Sequence, residues 1–145
     1  MKREKFMWPL SQSHHRALLT ARRVREALPA GIVGAERVKK TGEEVRVFFD
    51  QEMRQHFLDE EKILSMLETR VDKNDQDFAR IRSDHKLLES LSRSGERDAL
   101  LRFSEVLVAH IRFEEDVVFG RLEAKLTEDE KLEIGKLLEE HNGSR

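Results

Sequence analysis

The sequence predicts an all-α protein, an antiparallel up-down four-helix bundle with a short additional C-terminal helix. Apolar residues recur at spacings of three and four along almost the whole chain, and few stretches alternate with the period of two typical of strands. The chain contains only 7 Gly and 2 Pro, and charged residues make up 39% of it, a balance typical of long solvated helices. We expect one domain over residues 1–145, with the bundle over about 11–125 and the C-terminal helix over about 128–141.

The first two helices are bounded by capping and helix-breaking residues. The first is predicted to begin at Ser11, whose side chain can cap it, and to end before Pro29 and the glycine-containing segment that follows. The second begins or restarts at Thr41, which has capping-box spacing to Glu44, and runs to about Arg70. Their apolar stripes comprise Leu10, Ala17, Leu18, Ala21, Val24 and Leu28 in the first helix and Val45, Phe49, Ile63 and Leu67 in the second.

The remaining helices follow from similar signals. A polar segment, DKNDQD, precedes a third helix that Gly95 ends, and a fourth helix runs from near Arg97 to about Lys125. Thr127 and Glu130 form a second capping box that opens the C-terminal helix. The apolar positions are Phe78, Ile81, Leu88 and Leu91, then Leu100, Phe103, Val106, Leu107 and Val117, then Leu132, Leu137 and Leu138. Short connections predict antiparallel neighbours, with the last helix packed across one end of the bundle.

Composition excludes several classes of function. A net charge of −2, from 27 basic and 29 acidic residues, gives no electrostatic case for binding nucleic acid or an anionic membrane. The chain has no cysteine, which excludes disulfides, zinc fingers and iron–sulfur ligation. No apolar run reaches the length of a bilayer, and the basic N-terminus lacks the apolar core of a signal peptide. We expect a soluble cytoplasmic protein.

A histidine lies in phase with the apolar stripe of each main helix, and in two helices a glutamate follows one turn later. The histidines are His14, His56, His85 and His110, and the glutamates are Glu60 and Glu114. Residues four apart on a helix lie one above the other, so all of these side chains are expected to face the bundle axis. His15 is out of phase; the adjacent pair leaves open which histidine reaches the axis, and we favour His14.

These polar side chains require a common partner in the core. Burying an unpaired carboxylate costs on the order of several kcal/mol, and burying two that face each other costs more. A cation is the natural partner because imidazole nitrogen and carboxylate oxygen are both metal ligands. Four imidazoles and two carboxylates suit two ions with bridging carboxylates, and leave positions for an oxo or hydroxo bridge and an outside ligand. Known di-iron bundles place carboxylates and histidines comparably.

Metal-free interpretations compete with this one. An in-phase histidine can be a hydrogen-bonded core residue, and the polar layer of a helical interaction module can simply fix the helix register. Glu61 and Glu115 are expected off the axis, either solvated or in contact with a ligand side chain. Glu52 can orient a ligand or lie exposed, and His141 is expected at the surface. Two in-phase His/Glu pairs, matched by histidines on the other helices, favour the metal interpretation.

The segments PLSQSHHRAL, HFLDEEKIL, SDHKLLESL and HIRFEEDVVFGRLE together resemble the hemerythrin-like (HHE cation-binding) family over roughly residues 9–126. The resemblance implies an up-down bundle around a non-haem di-iron centre that binds dioxygen or a related small ligand. It implies that His14 (or His15) and His56 hold one iron, that His85 and His110 hold the other, and that Glu60 and Glu114 bridge them. Oxygen-carrying members have a fifth histidine on the third helix. Here the positions one turn before and after His85 are Ile81 and Glu89, so Glu89, a water or an open position takes the place of the fifth histidine.

We therefore expect a metal-binding protein rather than an enzyme. It is expected to carry two Fe ions with an oxo or hydroxo bridge, and to bind or sense O₂, NO or iron. Manganese and zinc accept the same ligand types. The enzymatic alternative is a di-iron oxidase or peroxidase, or a factor that donates iron for cluster repair. We expect no nucleic-acid or membrane partner, and a sensing role would require a separate redox or signalling partner.

Overall fold

A computed structural model describes residues 2–143, which are helical throughout, with short connections and no strand in that range. The helices are α1 (Trp8–Ala27), α2 (Ala35–Phe48), α3 (Arg54–Met66), α4 (Gln76–Ser94), α5 (Arg97–Phe113), α6 (Phe119–Lys125) and α7 (Glu128–Gly143), after a 3₁₀ turn at Lys5–Met7. A first π-helical turn (Phe49–Met53) joins α2 to α3, and a second (Glu114–Val118) joins α5 to α6. Within the described range, none of the helices combines the length and apolar character that a membrane span demands.

The first helix begins earlier than its sequence predicts, at Trp8 rather than Ser11. Pro9 lies in its first turn, where a proline costs no hydrogen bond and its fixed φ suits the helix. Ser11 does not cap the helix: it lies inside α1, and its hydroxyl donates to a carboxylate oxygen of Glu115 at 2.8 Å. The helix ends at Ala27, close to the predicted position.

The second helix also begins earlier than predicted, at Ala35, with Gly34 as its N-cap residue. Thr41 is buried within α2, and its hydroxyl donates to the backbone oxygen of Arg37 at 2.8 Å. A threonine can make this bond to the preceding turn without leaving the helix. The Thr41 to Glu44 spacing therefore occurs in a helix interior and is not a cap.

The predicted ends of the third helix and the start of the last are confirmed by their caps. Asp75 caps α4 by accepting hydrogen bonds from two backbone amides of its first turn, at 3.0 and 3.1 Å. Gly95 ends α4 with a φ of 73°, in the left-handed region that glycine adopts without a Cβ penalty. The Glu130 amide donates to the Thr127 hydroxyl at 3.2 Å, and the Thr127 amide donates to the Glu130 carboxylate at 2.9 Å.

Buried apolar side chains form two clusters. The first apolar cluster contains Met7, Leu10, Ile63, Leu64, Leu67, Phe78, Ile81, Val118, Phe119, Leu122, Leu126, Ile134 and Leu138. The second apolar cluster contains Ala17, Ala21, Val24, Leu28, Val45, Phe49, Met53, Phe57, Leu88, Leu100, Phe103, Leu107 and Ile111. On each segment that carries a central histidine (α1, α2–α3, α4 and α5–α6), that histidine lies between a residue of one cluster and a residue of the other. The polar layer therefore lies where the two clusters meet.

Candidate metal centre

The structure brings together all of the side chains that the sequence placed on the axis. His14, His56, Glu60, His85, His110 and Glu114 are buried, and they form two overlapping groups. His15 is exposed, so His14 is the member of the adjacent pair that reaches the interior. The histidine faces predicted by helical periodicity are thus the faces that the fold buries.

Glu60 presents its two carboxylate oxygens to different histidine pairs. Its Oε2 lies 2.7 Å from Nε2 of His56 and 3.5 Å from Nε2 of His14. Its Oε1 lies 2.9 Å from Nε2 of His85 and 3.8 Å from Nε2 of His110. This is the arrangement expected of a carboxylate that bridges two ions.

Glu114, in the π-helical turn between α5 and α6, contacts one histidine of each pair. Its Oε1 lies 3.0 Å from Nε2 of His14 and 3.0 Å from Nε2 of His110. Two groups of ligand atoms result, each able to hold a metal ion, with all atoms of a group within 4.8 Å of one another. One group uses His14 and His56, the other uses His85 and His110, and both use the two glutamates.

Unpaired buried atoms show that these residues fit cations. Nε2 of His110 and Oε1 of Glu114 are buried without a hydrogen-bond partner among the described residues, although they lie 3.0 Å apart. An unsatisfied buried polar atom costs about 1–3 kcal/mol, and a cation that accepts both lone pairs removes that cost. Imidazole and carboxylate ligands together suit iron, manganese or zinc.

Three of the histidines bond a carboxylate through the outer ring nitrogen. Nδ1 lies 2.7 Å from Glu115 in His14, 3.1 Å from Glu61 in His85 and 3.0 Å from Asp84 in His110. An ionised carboxylate only accepts hydrogen bonds, so each Nδ1 carries a proton; when Nε2 carries none, its lone pair faces the centre. That tautomer is the one that a metal-bound histidine requires.

Comparison with models of known protein families shows which family the chain belongs to. A family model of the hemerythrin HHE cation-binding domain matches residues 9–122, a range that contains all of the side chains of the centre. The chain belongs to this family. The resemblance inferred from the sequence motifs is confirmed. Neither the curated proteins nor the solved structures gave a significant match.

Two aromatic rings pack against two of the four imidazoles in this hemerythrin-like domain and restrict their ring planes. The ring of Phe57 stacks on His85 with centroids 3.9 Å apart, and the ring of Phe119 lies parallel to His14 with centroids 5.2 Å apart. Both phenylalanines are buried. Stacking and the carboxylate contacts together leave these imidazoles little rotational freedom.

Carboxylates raise the pKa values of the buried histidines. Burial lowers the pKa of His14 and of His110, but the charge and close contacts of neighbouring carboxylates, Glu114 foremost, hold both well above the usual value. The pKa of His85 is also raised, because its contact with Glu60 outweighs the effect of burial. The centre therefore has a strongly negative potential that protons or cations must balance.

Glu60 and Glu115 have pKa values shifted in the opposite direction. Burial raises the pKa of Glu60, but the histidines around it, His56 foremost, hold it well below its usual range. The pKa of Glu115 is lowered in the same way, with hydrogen bonds from His14 and Ser11 outweighing its burial. The lowered pKa values favour the ionised form of both carboxylates, the form that binds cations.

Glu89 and Glu52, whose roles the sequence did not decide, lie outside the two groups of candidate ligand atoms in this hemerythrin-like domain. Glu89 pairs with Arg54 at 3.0 Å, and its side chain is 43% exposed, so it does not replace the fifth histidine of oxygen carriers. Glu52 pairs with Arg16. Glu61 and Glu115 lie off the axis, where each contacts the outer nitrogen of a histidine.

His141 is not the surface residue that the sequence suggested. Its Nδ1 lies 2.8 Å from Oδ1 of Asp59 and 3.2 Å from Nε2 of Gln55, and its side chain is 31% exposed. Asp59 is buried and directly precedes Glu60. The contact joins α7 to α3, a long-range pairing that no local sequence pattern indicates.

Proposed function

We propose that this protein holds two iron ions in its core and reversibly binds a small diatomic ligand, O₂ or NO, as a carrier or sensor. The observation that supports the proposal best is Glu60, whose two oxygens face two separate histidine pairs. A single mononuclear site needs only one of these pairs. Paired iron, when bound, supplies reversible coordination of the diatomic ligand.

The proposed ligand sets are symmetric. His14 and His56 hold one ion, and His85 and His110 hold the other. Glu60 and Glu114 contribute to both. Each ion receives two nitrogen and two oxygen ligands from the chain. Iron commonly accepts about six ligands, so positions remain for an outside molecule.

The other residues around the centre keep its ligands in place and keep water out. Glu115, Glu61 and Asp84 hold the outer nitrogens of three histidines, which fixes both tautomer and ring orientation. The rings of Phe57 and Phe119 cover two of the imidazoles with apolar surface. A small neutral ligand enters such a site at lower desolvation cost than a charged one.

We also propose that the four-helix bundle is antiparallel and that all of the helices form one domain. Each long helix crosses the polar layer from one apolar cluster to the other: Leu10 to Ala17 in α1, Phe49 to Ile63 in α2–α3, Ile81 to Leu88 in α4, and Leu107 to Val118 in α5–α6. The order of the clusters reverses from each long helix to the next. Ile134 and Leu138 of α7 belong to the first cluster.

Anaerobic titration of metal-free protein with Fe(II) tests the function. We expect about two Fe per chain, and a visible absorption band that forms with O₂ or NO and disappears when the gas is removed. Glu60→Ala is expected to abolish stable loading of both ions, because it removes a ligand from each. His15→Ala is the matched control: it removes an exposed imidazole beside His14 and is expected to bind iron normally.

The same titration can contradict the proposal. Wild-type protein that binds no iron, or Glu60→Ala protein that binds iron as tightly as wild type, would rule out the dinuclear centre. Sustained consumption of peroxide or NO in the presence of a reductant would assign an oxidase or peroxidase role in place of reversible binding.

A further inference from the structure

Arg3, which lies outside the range that matches the family, contacts residues that adjoin the centre. It lies in the segment before residue 9, and its side chain is only 13% exposed. Its Nη2 donates to the backbone oxygen of Glu115 at 2.7 Å, and its Nη1 donates to Oε1 of Glu123 at 2.8 Å. Its Nε lies 3.6 Å from Oε1 of Glu115. One guanidinium thus contacts the α5–α6 helix at several points.

The backbone contact falls in the second π-helical turn. Glu114 and Glu115 are the first residues of that turn, in which the backbone departs from the regular α-helical hydrogen-bond pattern. A charged donor on the Glu115 carbonyl is a strong, directional hydrogen bond. It restrains the part of the backbone that places the Glu114 carboxylate between the two histidine pairs.

The contact with the Glu115 side chain continues to a histidine. Glu115 Oε2 accepts hydrogen bonds from the hydroxyl of Ser11 at 2.8 Å and from Nδ1 of His14 at 2.7 Å. Arg3 also lies over the ring of Phe119, with 5.4 Å from the guanidinium carbon to the ring centroid. Phe119 is the ring that lies parallel to His14. Both routes from Arg3 lead to the same imidazole.

The N-terminal segment is attached firmly enough for Arg3 to act in this way. Glu123 is buried, and its second carboxylate oxygen accepts a hydrogen bond from the backbone amide of Glu4 at 2.6 Å. Glu123 therefore binds the segment both through the Arg3 side chain and through the next backbone amide. Met7, at the end of the segment, is fully buried in the first apolar cluster.

We propose that Arg3 is a positioning residue for the metal centre, which fixes the second π-helical turn and, through Glu115, the ring of His14. The inference rests on the proposed function for its effect on metal binding, while its effect on the π-helical turn holds in metal-free protein. Part of the support for the His14 and His56 ligand group then comes from a segment outside the range that matches the family.

Hydrogen exchange of metal-free protein tests the structural half. Arg3→Gln is expected to speed exchange of the amides of residues 114–119 by about tenfold, since the turn loses its charged donor. Lys5→Gln is the matched control: it removes an exposed positive charge two positions along the same segment and is expected to leave exchange unchanged. Arg3→Lys keeps the charge but not the fork, and is expected to give an intermediate rate. Exchange in Arg3→Gln protein equal to wild type would overturn the proposal.

Fe(II) titration tests the effect on the centre. Arg3→Gln is expected to weaken the ion held by His14 and His56 by about tenfold, more than the other ion, because loss of an outer contact typically costs 10–100-fold in affinity. Glu61→Gln, which removes the outer contact of His85, is expected to weaken the other ion more. Equal weakening of both ions would contradict the route from Arg3 through Glu115 to His14, because it would show that Arg3 acts only on the turn that carries Glu114. Wild-type protein without iron would reject the proposed function, whereas equal iron binding by wild type and Arg3→Gln would reject this inference alone.

Discussion

Asp84 supports a histidine on a neighbouring helix, although it is adjacent in sequence to the histidine of its own. Its Oδ2 lies 3.0 Å from Nδ1 of His110. Helical periodicity places His85 on the axis and therefore places Asp84 about 100° around the helix. Whether that direction meets solvent or another helix depends on how helices pack, which a single sequence does not specify. Periodicity was enough to predict which histidines face the axis, whereas the role of Asp84 depends on helix packing.

Removing Asp84 is expected to weaken metal binding without removing a ligand. In Asp84→Ala the Nδ1 of His110 loses its acceptor, so we expect iron affinity to fall about 10–100-fold, measured by anaerobic titration. In Asp84→Asn an amide oxygen can still accept the hydrogen bond but carries no charge, so a smaller loss is expected. Glu105→Gln, on an exposed position of α5, is the control. Equal affinities for Asp84→Ala and wild type would show that this contact does not support the ligand.

The two π-helical turns explain where the sequence assigned helix faces wrongly. The predicted apolar positions included Val117 but neither Met53 nor Val118, whereas the structure buries Met53 and Val118 and leaves Val117 43% exposed. A π-helical turn accommodates one extra residue, which changes the residue that faces the core within the turn. Apolar spacings of three and four fit the chain with or without that residue, so the pattern does not reveal the insertion. The second turn begins at Glu114, one of the proposed bridging ligands.

Asp75 joins the start of α4 to α6, and its two roles can be separated. It caps α4 and also accepts hydrogen bonds from Arg121 at 2.7 and 3.1 Å. Asn caps helices as well as Asp, so Asp75→Asn is expected to lose only the ion pair, about 1 kcal/mol at pH 7. Asp75→Ala is expected to lose about a further 1 kcal/mol with the cap. Urea unfolding measures both differences.

The ion pair at Asp75 also predicts a pH dependence. Hydrogen bonds from Arg121 lower the pKa of Asp75 below its usual value. The stabilisation is therefore complete above the unfolded pKa of about 3.9 and is lost as the pH falls through the folded pKa. The difference in unfolding free energy between wild type and Asp75→Asn is expected to shrink below about pH 4. A difference that stays constant down to pH 2 would contradict this assignment.

At the scale of the whole molecule, the N-terminal segment docks on α7. Lys131 of α7 pairs with Glu4 at 2.9 Å, and Phe6 packs against Gly135. The sequence predicted α7 and its capping box because these are local patterns. The docking of the N-terminal segment on α7 joins residues at opposite ends of the chain. It depends on tertiary shape that local periodicity does not encode.

A disulfide between these segments tests that docking. A Cβ on Gly135 would lie 3.5 Å from the Cβ of Phe6, within the separation of about 3.5–4.5 Å found in disulfides. The chain has no cysteine, so Phe6→Cys with Gly135→Cys allows only one intramolecular pairing. The closed loop spans most of the chain, and such a crosslink typically stabilises by about 2–4 kcal/mol.

Comparing the oxidised and reduced forms of the double variant isolates the crosslink, because both forms carry the same loss of the Phe6 ring. We expect the oxidised form to melt about 5–10 °C higher, measured by circular dichroism. The single Phe6→Cys variant controls for the reductant and is expected to melt at one temperature with or without it. Because α7 also contacts Asp59 through His141, a stabilised α7 is expected to protect the amides around residue 59 from hydrogen exchange. A double variant that fails to oxidise, or whose two forms melt together, would show that the N-terminal segment does not dock on α7 as described.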